Sequence, residues 1–152
     1  MTFPNEPSWL DEALRSIPEL PSKPVLLEER VRFGINLPWS FFLEQKLEEL
    51  GQPGSVLLEF LTGRFPSLLP VSLESVDSPK FGDKFPKEFV KEYFLAPFNS
   101  SPPFLSVAVI EPDLLQSFHV AYVPWGKNNT FSLLQYFLVL PSSFRNYLSK
   151  RQ

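Results

Sequence analysis

Three apolar runs close the chain: PFLSVAVI ending at Ile110, SFHVAYVPW ending at Trp125, and TFSLLQYFLVLP ending at Pro141. Each is about one strand long, rich in β-branched and aromatic residues, and bounded by short polar punctuation. Together they predict three adjacent antiparallel strands, so the rest of the chain must either extend that sheet or cover it.

Prolines organise what precedes the sheet. The chain holds 17 of them against 6 glycines, and Pro4, Pro7, Pro18, Pro21 and Pro24 leave room in the opening segment only for a short helix. Ser8 is placed to cap it, with Asp11 three residues on as a capping-box acceptor. After a mixed segment from Leu26 to Leu37, WSFFLEQKLEELG predicts an amphipathic helix. Leu43, Leu47 and Leu50 repeat on one face, Glu44, Lys46, Glu48 and Glu49 lie elsewhere and are expected in solvent, and Gly51 ends it. Ser55 to Leu61 is short enough for a buried strand, and a second short strand is expected within Leu69 to Val76. Glu88 to Leu95 alternates like a strand, and Ala96 to Pro103 reads as a hairpin loop.

At 152 residues and 43% hydrophobic content the chain suits one domain spanning 1–152. The predicted fold class is α+β: N-terminal helices packed on a mostly antiparallel sheet of about five to six strands.

The composition also restricts the chemistry. With no cysteine and one histidine, thiolate metal sites, cysteine nucleophiles and histidine-rich metal clusters are excluded. A net charge of −3 without a basic run argues against nucleic-acid partners. The acidic, proline-broken N-terminus does not resemble a secretory signal, and no apolar run reaches the length of a membrane span, so a cytoplasmic location is expected. No nucleotide-binding glycine loop, P-loop, nucleophile elbow or zinc-protease motif occurs. His119 is expected as an ordinary neutral imidazole within an apolar strand. Gly63-Arg64 is expected as a turn, with anion contact the less common use of such a pair.

Read in order, four segments carry a resemblance. They are LRSIPELPSKPVLL, then SFFLEQKLEELGQPGSV, then FVKEYFLAPFNSSPPFLSVAVIEPDLL, and finally WGKNNTFSLLQYFLVLPSSF. Their sequence resembles a shortened, divergent chorismate lyase, the family that eliminates pyruvate from chorismate to leave 4-hydroxybenzoate without a cofactor. The resemblance implies an antiparallel sheet backed by helices, a buried pocket, and a small aromatic carboxylate as ligand. It places Lys91, as both catalytic and substrate-binding residue, where the family has a carboxylate-gripping arginine. Phe137 stands where the family has a glutamate, and Leu43 falls at an apolar pocket position. Arg64 and Lys127 are the cations available to replace lost anion contacts. The family's flap is markedly shortened between Leu115 and Trp125.

Lysine lacks the planar fork that grips a carboxylate, and phenylalanine handles no proton, so the family's catalytic positions are altered. The alternative is a non-catalytic small-molecule sensor or protein-interaction module on the same kind of sheet. A PAS-like sensor also fits helices followed by antiparallel strands. The 16 phenylalanines serve either a ligand cavity or an ordinary core.

Overall fold

A computed structural model describes residues 6–33, 37–74, 85–101, 104–126 and 133–149. Four helices come first: α1 (Leu10–Ser16), α2 (Lys23–Phe33), α3 (Trp39–Glu49) and α4 (Ser55–Arg64). Strand β1 (Leu69–Pro70), helix α5 (Lys87–Tyr93), and strands β2 (Leu95–Ser101) and β3 (Phe104–Val109) follow. A 3₁₀ turn at Pro112–Leu114 opens into α6 (Leu115–Gly126), and β4 (Leu133–Leu138) and α7 (Pro141–Ser149) complete the order.

The sheet differs from the antiparallel expectation in both size and direction. It has four strands in the order β1-β4-β3-β2. β4 runs parallel to β1 and to β3, and only β2 pairs antiparallel, with β3. One segment accounts for the difference. SFHVAYVPW is not a strand but most of α6, and a helix between two strands returns the chain to the same end of the sheet, which makes β3 and β4 parallel. Its buried residues Phe118 and Tyr122 lie four apart, with half-buried Leu115 three residues before Phe118 on the same face, whereas Val120 is 70% exposed. His119 is therefore exposed on a helix, not enclosed in a strand.

Two other predicted strands are helices for the same reason. In α4, Leu57 and Leu61 are buried at i, i+4. In α5, Phe89 and Tyr93 share a face at i, i+4 and their rings meet at 6.1 Å. The predicted hairpin loop is itself β2. Its register shifts between Pro97 and Asn99, and the bulge there places Phe98 edge-on to Phe137 at 5.5 Å.

The helix predicted over WSFFLEQKLEELG is present as α3. Gly51 closes it at φ 76°: its N–H bonds Glu48 O at 3.0 Å and the Gln52 N–H bonds Leu47 O at 2.8 Å. These are the two bonds of a Schellman motif, which requires the left-handed backbone that glycine adopts without strain. Leu43 and Leu47 are fully buried, but Leu50 is 41% exposed. Ser8 does not cap α1. It reaches across the molecule to Asp113, donating to its carboxylate from both N–H and Oγ at 2.6 Å.

Two apolar layers result. Trp9, Leu10, Trp39, Phe42, Leu43, Leu47, Leu57 and Leu61 bind α1–α4 together. The second layer joins the sheet to α5, α6 and α7, and much of it is a ring cluster in which Phe118 meets Phe85, Phe89, Tyr93, Tyr122 and Tyr136 at 5.4–6.2 Å. The phenylalanines of this cluster fill a core. Helix α3 serves both layers, giving Phe42, Leu43 and Leu47 to the first and Phe41 to the second. Among the described residues no helix is long and apolar enough to cross a membrane.

Candidate functional site

Helix α7 is fixed from three directions. At its N-terminus, Ser142 donates from N–H and Oγ to Glu44 at 2.8 and 2.7 Å, so a carboxylate from α3 meets the positive end of the α7 dipole. Ser143 Oγ accepts from the Leu73 N–H at 3.1 Å. Tyr147 Oη donates to the Pro97 carbonyl at 2.8 Å. Glu44, expected in solvent, is thus committed to holding a helix.

This anchoring creates an open cleft of about 350 Å³ between α3, α5 and α7, lined by Leu37, Phe41, Val90, Phe94, Phe144 and Leu148 with Lys91 and Arg145. Leu37 is held at its edge by Arg30, whose Nη2 donates to the Leu37 carbonyl. The Arg30 guanidinium is itself buried, 5.3 Å from the Trp39 ring, and desolvation lowers its pKa. The Arg145 guanidinium lies 5.1 Å from the Phe41 ring centroid, which sets its charge beside the apolar wall. Phe94 adopts φ 51°, ψ 56° at the end of α5, the left-handed conformation that a side chain with a Cβ disfavours. Its N–H bonds Val90 O at 3.1 Å and its ring meets Phe41 edge-on at 5.8 Å.

Among the described residues the lining has no carboxylate, imidazole, hydroxyl or thiol, so none of them pairs a general acid or base with a nucleophile there. Its cations lack acidic partners: Lys91 and Arg145 are exposed and have no carboxylate within 4.0 Å among the described residues. No group of three potential metal ligands occurs among those residues.

The residues expected to form a carboxylate site are dispersed. Lys91 stands on the cleft rim. Arg64 lines a different surface depression and pairs with Glu12 at 3.0 Å. Leu43 is inside the helical layer, Phe137 packs on Phe98 from β4, and Lys127 lies outside the described residues. The residues that sequence reasoning missed are Phe41, Phe94, Phe144, Arg145 and Leu148. A signal for them existed: no Asp or Glu follows Asp113, whereas Lys127, Arg145, Lys150 and Arg151 do, and Phe144 and Leu148 are spaced i, i+4 around Arg145.

A second cluster joins the N-terminal segment to the turn that follows β3. Glu111 is buried and its Oε1 accepts from Trp9 Nε1 at 3.0 Å and from the Asp113 N–H at 3.2 Å. Desolvation outweighs those bonds and pushes the carboxyl up to about 7. Burial also pushes the Tyr136 hydroxyl up to about 12. Both are features of packed interiors away from the cleft.

No protein-family model and no curated protein sequence matches this chain. Among solved structures it is similar to the N-terminal domain of XpsE, with a TM-score of 0.59 and 16% identity over 96% of each chain. A second crystal form of that domain gives 0.49 and 15% identity over 94% of each. At such identity the likeness establishes fold. It overturns the chorismate lyase resemblance, as does the mostly parallel sheet: FVKEYF, aligned with a hairpin strand of that family, is helix α5, and the shortened flap region is the α6 crossover. The chorismate and 4-hydroxybenzoate assignment and the small aromatic carboxylate ligand fall with it, and the antiparallel PAS-like reading falls to the sheet directions.

Proposed function

We propose that this chain is a protein-interaction module rather than an enzyme, built on the fold of the N-terminal domain of XpsE. The observation that carries this reading is the cleft between α3, α5 and α7. Apolar surface is gathered in a concavity, bordered by two cations that pair with no carboxylate among the described residues, and its described lining carries no carboxylate, imidazole, hydroxyl or thiol. Such a surface gains free energy by being covered.

Site-specific photo-cross-linking in the native cell tests it. A photoreactive phenylalanine replaces, one at a time, Val31 on α2, Val120 on α6, Leu133 on β4 and Arg145 on α7, all exposed. A discrete, light-dependent protein adduct at one of these faces is expected. Adducts to lipid alone, or none at any of the four positions, overturn the reading.

A further inference from the structure

The cleft's chemistry also specifies what covers it. Leu37, Phe41, Val90, Phe94, Phe144 and Leu148 place no side-chain polar atom in the lining. An occupant whose backbone N–H and C=O groups needed partners would bury them unsatisfied, losing their hydrogen bonds to water with nothing in return. An extended peptide is such an occupant and normally finds its partners on a sheet edge. Among the described residues neither edge strand lines this cleft. On β2, Pro97 has no N–H and its carbonyl already accepts from Tyr147, and β1 is two residues long with Pro70 as one of them. An α-helix satisfies its own backbone and presents only side chains.

The rim then selects among helices. Lys91 and Arg145 are exposed cations from two different walls, while the carboxylates of α5, Glu88 and Glu92, are not part of the lining. Their complement is negative charge beside an apolar stripe. A bilayer fits poorly, because Phe41, Val90 and Phe144 are 7%, 7% and 2% exposed and recede from the surface instead of protruding to insert. The conformation of Phe94 adds to the case: a left-handed phenylalanine carries steric strain that glycine would avoid, and it turns an aromatic ring into the cleft wall.

We infer that the α3–α5–α7 cleft is the docking groove for an amphipathic helix of a partner protein, whose apolar stripe fills the groove and whose flanking Asp or Glu side chains pair with Lys91 and Arg145. This rests on the reading of the chain as an interaction module and names the surface and the chemistry of the partner.

The test is a display selection on the full chain with a library of helices carrying apolar residues at i, i+3, i+4 and i+7 and randomised flanks. Enrichment of Asp and Glu in the flanks is expected. A selected acidic peptide should bind the Lys91→Glu/Arg145→Glu chain about tenfold more weakly or worse, lose affinity as salt rises, and lose affinity to Phe94→Gly. Its Lys-flanked counterpart should prefer the charge-reversed chain. Unchanged circular dichroism and melting certify the variant, and Lys91→Gln/Arg145→Gln substitutes if the reversal unfolds it. No enrichment, enrichment without acidic bias, or equal binding to the variant overturns the inference. So does Lys91- and Arg145-dependent binding to phosphatidylserine vesicles in place of peptide. Protein adducts from Val120 but none from a photoreactive phenylalanine placed at Leu148, an apolar position of the lining, would leave the interaction module standing and remove this groove.

Discussion

The helical layer and the sheet layer use charge in opposite ways. In the helical layer Lys23 pairs with Glu6 and Asp11, Lys46 with Glu29 and Glu49, and Arg64 with Glu12, at 2.5–3.6 Å. The hydrogen bonds to Glu6 and Asp11 raise the pKa of Lys23, and the bond to Glu29 raises that of Lys46. In the sheet layer, Lys91 and Arg145 meet no carboxylate among the described residues and stand beside uncovered apolar surface. Exposed pairs contribute little to stability, so the contrast is one of availability. A cation already neutralised has little left for a partner, whereas one beside a hydrophobic cleft can direct association.

The largest expected effect tests whether the layers unfold together. Phe118→Ala removes the centre of the ring cluster and should destabilise by about 3–5 kcal/mol, and Leu43→Ala in the other layer by about 2–5 kcal/mol. Because α3 contributes to both layers, each variant should shift a single denaturation midpoint, seen alike by tryptophan fluorescence and circular dichroism. Two separated transitions would divide the layers.

Next comes pH. The folded carboxyl of Glu111 titrates near 7, above its ordinary value of 4.5. Between those values the folded chain holds a proton that the unfolded chain has released. This contribution is therefore complete below pH 4.5 and is lost as pH rises through about 7, a change on the order of 3 kcal/mol. Glu111→Gln keeps an oxygen for Trp9 and the Asp113 N–H without becoming charged. Melting at pH 8 should find it more stable than the parent, with a flatter profile between pH 5 and 7. A lower melting temperature at pH 8 would contradict the assignment.

Glu44→Ala should cost about 1–2 kcal/mol by releasing the N-terminus of α7. Hydrogen exchange should rise first in that helix and therefore at the cleft. The smallest effect compares two substitutions at one site. Both Phe94→Gly and Phe94→Ala remove the ring, but only glycine relieves the left-handed backbone, so the glycine variant should be the more stable by about 1 kcal/mol in urea titration. Alanine equal or superior would show that the position carries no strain.

Legibility in the sequence followed the length and ambiguity of each segment. Helix α3 could be read because Leu43, Leu47 and Gly51 supply both a period and a stop. Strands β3 and β4 could be read because each is a short apolar run set off by polar residues. Ser55–Leu61, Glu88–Tyr93 and Ser117–Trp125 could not be assigned by periodicity, since a short run apolar on most positions fits either a buried strand or a helix. The last of these had the widest consequence, because taking one crossover helix for a strand reversed the direction of the sheet. The cleft was hidden for a different reason. Phe41, Phe94 and Phe144 come from three distant segments, and only Lys91 of its two cations attracted notice.

The chain's order of residues alone determined that there would be an α+β protein with no cysteine and a single histidine, with α3 ended at Gly51 and apolar strands near the C-terminus. These properties reside in single residues or in neighbours a few positions apart. Tertiary structure alone decided that β3 and β4 run parallel, that Glu44 holds α7, that Ser8 and Trp9 reach Asp113 and Glu111, and that Lys91 and Arg145 share a groove. Each of those outcomes depends on contacts between segments far apart in the chain, where packing and desolvation outweigh local preference.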